Sequence, residues 1–168
     1  MFRTSLSAVW VGLAMIASGC GGSEGDLGTV NGKVTLGGKP VPDATVTFIP
    51  EDGSRQSVGF TDDQGMYELD YTLDKKGASV GLHKVKITTF EESDGKVTKP
   101  EVFPAEYNVK STLTKEVESG SNEINFDLKE GGEIINDPKE REYLAELEAT
   151  GGGGGDPCTC GGADFDDF

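Results

Sequence analysis

Two thiols one residue apart are the most unusual chemical feature of this sequence. Cys158 and Cys160 flank Thr159 near the end of the chain. Such a pair can chelate a soft metal ion or close a small disulfide ring in an oxidising compartment. Two ligands leave a zinc site incomplete, so carboxylates such as Asp156 and Asp164, or a second molecule, would have to supply the rest. We favour an oxidised pair in a disordered tail, and therefore predict no metal or other cofactor.

A single histidine limits the catalytic chemistry that the chain can perform. His83 is the only His, and no Gly-x-Ser-x-Gly motif accompanies it. A metallopeptidase site such as two His and a carboxylate cannot be assembled from one His. His83, Val85 and Ile87 are two residues apart and would face the same side of a strand. We therefore interpret His83 as a hydrogen-bonded packing residue. The sequence predicts a protein that is not an enzyme, with no catalytic residue and no small-molecule substrate.

Acidic side chains at turns form another set of possible ligands. Asp62, Asp63, Asp70 and Asp74 offer the hard oxygen atoms that Ca²⁺ takes. Their spacing matches no EF-hand loop. Since Asp in a turn commonly accepts hydrogen bonds from its own backbone, we favour solvated turns over a calcium site.

The first twenty residues have the layout of a secretory signal. Arg3 precedes an apolar run over residues 6–16, and three small residues at 17–19 stand immediately before Cys20. The apolar run is too short to span a bilayer. Small residues before a Cys resemble the lipobox of bacterial lipoproteins.

That resemblance implies removal of residues 1–19 and acylation of Cys20, with chains such as palmitate on the thiol and on the new amino terminus. More than one acyl chain gives a stable anchor, because each buried methylene contributes about 0.8 kcal/mol. Gly21 stands where an Asp commonly retains such proteins in the inner membrane, which favours the outer membrane. The alternative is an ordinary secretory peptide cut nearby, with Cys20 incidental.

The charge of the chain is strongly acidic and unevenly distributed. Thirty Asp and Glu against 15 Lys and Arg give a net charge of −15. Such a surface repels phosphate backbones, so we predict no nucleic-acid partner. Residues 28–129 carry 12 basic against 17 acidic side chains, whereas residues from 130 onward carry 2 against 11. The folded part is therefore close to balanced.

Short runs with a two-residue period indicate half-buried strands. Their apolar members are Val30, Val34 and Leu36; Ala44, Val46 and Phe48; Tyr67, Leu69 and Tyr71; Val85 and Ile87; Leu113 and Val117; and Ile124, Phe126 and Leu128. Turn-forming residues separate the runs. About seven short strands over about 100 residues predict an all-β fold, a single antiparallel Greek-key β-sandwich.

The remaining segments give the predicted domain organisation. We expect a signal peptide over 1–19, a flexible tether over 20–27, the β-sandwich over 28–129, an acidic segment with a short helix over 130–150, and a glycine-rich disordered tail over 151–168. Asp137 is suited to cap the helix, Pro138 to begin it and Glu140 to complete a capping box. The helix should reach about Ala149. Its narrow apolar stripe, which consists of Tyr143, Leu144 and Leu147, would have to pack on the sandwich for the helix to persist.

Several motifs together resemble the carboxypeptidase regulatory-like, transthyretin-like domain, and more narrowly the small lipoproteins of planctomycete-type bacteria. The motifs are GKVT at 32–35, GKPVPDATVTF at 38–48, TDDQGMYEL at 61–69, GLHKVKI at 81–87, PAEYN at 104–108 and STLT at 111–114. The resemblance covers 28–129. It implies a prealbumin-like sandwich without intrinsic catalysis, typically an accessory or adhesion module. The His and Arg set of the 5-hydroxyisourate hydrolases, which share the broad fold, is absent from the sequence.

These observations predict a non-enzymatic, lipid-anchored cell-envelope protein that is exported and held in the outer membrane through Cys20. Its sandwich edges and loops would contact an envelope protein or a surface glycan. One alternative is a soft-metal or redox lipoprotein that uses Cys158 and Cys160. Another is a glycan-binding module, which the location of the only Trp, Trp10, within the signal disfavours.

Overall fold

The chain forms two layers of β-strand with one short helix after them. The computed structural model describes residues 26–150. The strands are β1 (Leu27–Leu36), β2 (Lys39–Pro40), β3 (Thr45–Pro50), β4 (Ser57–Phe60), β5 (Met66–Glu68), β6 (Asp70–Thr72), β7 (Lys75–Lys76), β8 (Ala78–Ser79), β9 (Gly81–Thr88), β10 (Glu91–Ser93), β11 (Lys96–Lys99), β12 (Thr114–Val117), β13 (Gly120–Glu123) and β14 (Phe126–Leu128). The helix α1 is Pro138–Ala149, and a 3-10 turn is Ala105–Tyr107. The predicted all-β sandwich with a short C-terminal helix is confirmed.

The first sheet is built around β1. Strands β2, β5 and β8 pair with it antiparallel, whereas β13 and β14 pair with it parallel. Gly28 lies opposite Gly120, and Leu36 lies opposite Leu128. Most pairs in the fold are antiparallel as predicted, but the alternation of side chains carries no information about strand direction, so the parallel pairs could not be foreseen.

Strand β1 exchanges one parallel partner for the other at Gly32. The amide of Ile124, between β13 and β14, donates to the carbonyl of Asn31 at 2.9 Å. At Gly32 the backbone of Ile124 comes so close that a Cβ would collide with its carbonyl group. Glycine is therefore required here for close approach of two backbones.

The second sheet has the order β12-β9-β3-β4-β6-β7 and is antiparallel throughout. Val46 lies opposite Ile87, and Phe48 lies opposite Val85. A separate hairpin consists of β10 and β11. The number of strand segments exceeds the predicted seven because several pieces are only two or three residues long.

The core lies between the inner faces of the two sheets. Phe48 meets Phe126 edge-on, with ring centroids 6.2 Å apart. Burying side chains of this size contributes roughly 1.5–3 kcal/mol each. The fully buried apolar residues include Val30, Val34, Ala44, Val46, Phe48, Leu69, Val85, Ile87 and Val117, all of which the two-residue pattern placed inside.

The helix α1 begins and ends where the sequence predicts. The Asp137 side chain accepts a hydrogen bond from the Lys139 amide at 2.9 Å, and Pro138 is the first helical residue. No residue of α1 is fully buried; of the predicted apolar stripe, Tyr143 is 60% exposed and Leu144 is half-buried. In the part of the chain that the structure describes, no helix is long and apolar enough to cross a membrane.

Candidate functional site

An exposed apolar surface lies on the outer face of the second sheet, beside its last strands. In β4 the usual alternation is turned around, since the inward residues are Ser57 and Gly59 while Val58 and Phe60 point outward. Phe60 is 68% exposed, and Leu73, in the turn between β6 and β7, is fully exposed. A partner that covered both side chains would remove apolar area from water.

These side chains line a groove of about 570 Å³, which we name the β4–β6 groove. Its lining residues are Arg55, Gln56, Val58, Phe60, Asp70, Tyr71, Thr72, Leu73 and Lys76. Strand β6 is held against β4 by the pairing of Val58 with Asp70. The groove therefore rests on two paired strands, which fix its floor.

Charged residues form the rim of the β4–β6 groove. Arg55 Nε donates to the carbonyl of Tyr71 at 2.8 Å, which uses one of the five N–H donors of a guanidinium. Lys76 Nζ pairs with Asp70 at 2.7 Å and with Glu68 at 3.2 Å. Hydrogen bonds to Asp70 and then Glu68 raise the pKa of Lys76. Asp70, the only carboxylate in the lining, is thus already neutralised.

Other grooves of the described chain have a different charge. The lining of the β4–β6 groove has two cations and one carboxylate, a balance of +1. A groove of about 590 Å³ between the edges of the two sheets has a balance of zero, because Lys115 and Lys129 offset Glu106 and Asp127. Two further grooves beside α1 and the 3-10 turn have balances of −2 and −1. The β4–β6 groove is thus a locally positive, apolar surface on a chain of charge −15.

A buried carboxylate organises the opposite end of the second sheet. The Glu101 side chain has no exposed surface. Its Oε1 accepts hydrogen bonds from the backbone amides of Thr89, Val102 and Phe103 at 3.0, 3.1 and 3.1 Å. Three amides converge on this oxygen, and the Val102 amide also donates to Thr89 Oγ1 at 3.0 Å, so Glu101 stabilises the loop around itself.

The second oxygen of Glu101 joins the sandwich to α1. Oε2 accepts from Thr88 Oγ1 at 2.5 Å and lies 3.3 Å from Arg141 Nη2. The Arg141 guanidinium also donates to the Ile135 carbonyl at 2.8 Å and lies over the Phe90 ring at 4.2 Å. Burial lowers the pKa of Arg141, and the Glu101 charge acts in the opposite direction. The start of α1 is therefore fixed by a buried ion pair.

The end of α1 is fixed by a second set of charges. Glu148 accepts from Lys84 Nζ at 2.6 Å and from Lys86 Nζ at 2.5 Å, both on the outer face of β9. Burial alone would raise the pKa of Glu148, but the hydrogen bonds and charges of the two lysines outweigh it and hold the pKa below its ordinary value. Arg141 and Glu148, seven residues apart on one face of the helix, thus dock α1 along β9.

We expect the end of α1 to detach from the sandwich in acid. Because the pKa of Glu148 is lowered in the folded state, its ion pairs stabilise docking above the ordinary value of 4.5 and are lost as the pH falls through the lowered value. A twelve-residue helix is marginal alone, so its helical signal should fall in the same range. Circular dichroism at 222 nm against pH measures this step.

The control for the acid transition is Glu146→Gln, which removes an exposed carboxylate of the same helix and should leave the step in place. Glu148→Gln should remove the step, since the docking charge is already absent at neutral pH. A step of equal size in Glu148→Gln would show that another group causes the transition.

The single histidine lies inside the sandwich. His83 is 1% exposed and faces the Phe48 ring at 5.8 Å between centroids. Its Nδ1 lies 3.0 Å from the Gly81 carbonyl, which can only accept, so Nδ1 carries the proton. In the neutral ring, Nε2 then accepts from Ser79 Oγ at 3.2 Å. This placement agrees with the interpretation of His83 as a hydrogen-bonded packing residue.

The Ser79–His83 contact was not foreseen, because the short segment around Ser79 shows no strand period. The group that orients His83 is a backbone carbonyl rather than a carboxylate, and both side chains are buried. Substrate therefore has no direct access to the pair. That the protein is not an enzyme stays a prediction.

Of the acidic candidates, Asp62 caps its own turn and Asp70 is the ion-pair partner of Lys76. Asp62 Oδ1 accepts from the amides of Gln64 and Met66 at 2.8 and 2.9 Å. Among residues 26–150, no group of three or more His, Cys, Asp or Glu side chains is arranged to hold a metal ion. The predicted lipidation site Cys20 and the thiols of Cys158 and Cys160 lie outside the described residues.

Comparison with known proteins assigns this chain to no family. No known family matches the sequence, and no curated protein matches it. Among solved structures, the chain is similar to a DUF3823 family protein from Parabacteroides merdae, with 12% sequence identity and a TM-score of 0.34. The match covers 62% of this chain and 46% of the other, so this chain spans less than half the length of that protein. The fold assignment therefore rests on the strand pairing described above.

Proposed function

We propose that this chain is a non-enzymatic, lipid-anchored protein of the bacterial cell envelope, which binds another envelope protein through the β4–β6 groove. The observation that carries the proposal is the exposed apolar surface of Phe60 on β4 and Leu73 in the adjoining turn, which line one groove. An isolated apolar surface of this kind is costly to leave in water and is favourable to cover.

The anchor in this proposal comes from the sequence. Cys20 follows three small residues, and only six residues separate it from the start of β1. An acylated Cys20 would hold the sandwich close to the membrane, where neighbouring envelope proteins are accessible. The resemblance of residues 28–129 to the carboxypeptidase regulatory-like domain also favours an accessory module, because that class is typically non-catalytic.

The edges of the sandwich are less suited to binding than this groove. Strand β7, at one end of the second sheet, is two residues long and consists of lysines, which is a common protection against strand addition. At the other end, the edge strand β12 carries Lys115, whose ammonium lies 5.7 Å from the Phe126 ring of β14. We therefore place the contact surface on the face of β4 and β6 rather than on an edge.

The test is in-cell photocrosslinking with a photoreactive phenylalanine analogue at position 60. We expect an adduct of higher mass in the membrane fraction, and loss of most of it when Leu73→Asp places a charge in the groove. The analogue at position 97 is the matched control, because Val97 is 40% exposed on the separate β10–β11 hairpin. Equal adducts at both positions, or none at position 60, would contradict the proposal that the β4–β6 groove is the contact surface.

The same cells test the anchor. Intact mass spectrometry should show a chain that begins at Cys20 and carries acyl groups, and Cys20→Ser should move the protein from the membrane to the soluble fraction. Cys158→Ser serves as the control, since it removes a thiol without touching the lipobox and should stay in the membrane. A Cys20→Ser protein that remains membrane-bound would exclude lipidation as the anchor.

A further inference from the structure

We propose that the β4–β6 groove also receives a ligand from its own chain: the acidic-aromatic segment Asp164-Phe165-Asp166-Asp167-Phe168. This inference rests on the proposed function, because it takes the same groove as the binding surface. The segment would occupy the groove until an envelope partner displaces it.

The chemistry of the segment is complementary to that of the groove. Phe165 and Phe168 are the only aromatic residues after Tyr143, and the groove presents exposed apolar surface at Phe60 and Leu73. The three Asp residues of the segment match a lining of net charge +1. The lining residues of the three grooves compared above have net charges of 0, −1 and −2, so these grooves would attract an acidic segment less or would repel it.

The cation that would meet the segment is Arg55. Lys76 is already engaged with Asp70 and Glu68, whereas Arg55 is exposed and uses Nε for the Tyr71 carbonyl. A guanidinium binds carboxylates through paired N–H donors, which suits an Asp beside an apolar anchor.

The connection between α1 and the groove is long enough for this contact. Glu148, near the end of α1, is held to Lys84 on β9. From β9 the sheet continues through β3 and β4 to β6, so three strand spacings of about 4.8 Å place the groove about 14 Å away. Residues 151–164 number fourteen, and a chain of that length reaches at most about 46 Å.

Covalent connection also favours the cis ligand over a free one. Linking a segment to its site by a short chain gives an effective concentration on the order of 1 mM. A weak contact of two Phe side chains and one ion pair is enough to fill the groove at that concentration. A partner therefore has to compete with the segment.

The test uses the full chain with the photoreactive phenylalanine analogue at position 60, followed by digestion and mass spectrometry. We expect a link within one chain between position 60 and the peptide that contains residues 164–168. Replacing both Phe165 and Phe168 by Ala should lower the yield about tenfold or more, as expected for the loss of two apolar anchors. Arg55→Gln should lower it less, and the exposed Val97→Ser should leave it unchanged.

The outcomes separate this inference from the proposed function. A partner adduct that is unaffected when residues 156–168 are deleted would overturn the inference and leave the proposed function standing. An intrachain link with no partner adduct, before or after deletion, would support the inference and overturn the proposed function. Links between two copies, recognised with mixed isotope-labelled chains, would overturn the cis arrangement. If both proposals hold, deletion should increase the yield of partner adduct.

Discussion

Replacing Glu101 by Ala is expected to destabilise the fold by about 3–5 kcal/mol, the cost of breaking a buried ion pair by removing one partner. The substitution leaves the amides of Thr89 and Phe103 without their carboxylate acceptor, while the Val102 amide keeps Thr89 Oγ1, and each unsatisfied buried group costs about 1–3 kcal/mol. It also removes the carboxylate that faces Arg141. Urea denaturation followed by circular dichroism measures the change in the free energy of unfolding.

Two variants make the Glu101 result specific. Glu91→Ala removes an exposed carboxylate from β10 and should change the free energy of unfolding by no more than about 0.5 kcal/mol. Arg141→Ala keeps the three amide bonds to Glu101 but leaves that buried carboxylate without its cation, so it should also destabilise the fold. A Glu101→Ala protein with a midpoint equal to that of Glu91→Ala would disprove the stabilising role of this carboxylate.

Gly32→Ala is expected to have the second largest effect, a loss of about 3 kcal/mol or more, at the upper end of the costs of overpacking. The added methyl group would collide with the carbonyl of Ile124 and would stand 3.0 Å from the Tyr67 ring. A rotamer change cannot relieve a clash with backbone. The Tyr67 hydroxyl donates to the same carbonyl at 2.7 Å, so any shift of Ile124 also disturbs this bond.

Thermal unfolding of Gly32→Ala beside Asn31→Ala provides the measurement and its control. Asn31 is the neighbouring residue of β1, its side chain is exposed, and its contact with Ile124 is made by the backbone carbonyl. We expect Asn31→Ala to unfold close to the parent temperature and Gly32→Ala far below it. Similar temperatures for the two variants would show that β1 and Ile124 can separate at little cost.

The strands of the core were predictable because burial on one face imposes alternation. Val46 and Phe48 on β3, and Val85 and Ile87 on β9, are buried as the two-residue period requires. The period reports which side chains point inward, but it contains nothing about which strands become neighbours. The parallel pairing of β1 with β13 and β14 was therefore beyond the reach of the sequence.

The groove was missed because its strand breaks the same rule. In β4 the two inward positions hold Ser57 and Gly59, and the two apolar residues, Val58 and Phe60, point outward. The strand therefore shows the reverse of the pattern that predicts a core strand. Sequence patterns assign an isolated Phe to the core by default. Only the structure shows that Phe60 faces solvent beside Leu73.

The ion pairs that dock α1 were missed for a related reason. The sequence predicted that the helix must pack on the sandwich, but it gave no sign that Arg141 and Glu148 would hold it there. Charged residues on a short helix normally indicate a solvated face, and their partners on β9 and at Glu101 are distant in sequence. Long-range charge pairing of this kind leaves no local signal.

The parallel pairing of β1 with β13 and β14 determines how the domain responds to mechanical force. Leu27 begins β1 at one end of the sheet, and Leu128 ends β14 beside Leu36 at the other. A pull on the chain before Leu27, against a hold beyond Leu128, loads the interstrand hydrogen bonds in shear. These bonds must then break together rather than unzip in sequence, which raises the barrier to forced unfolding. The sandwich is therefore built to withstand tension between its two ends.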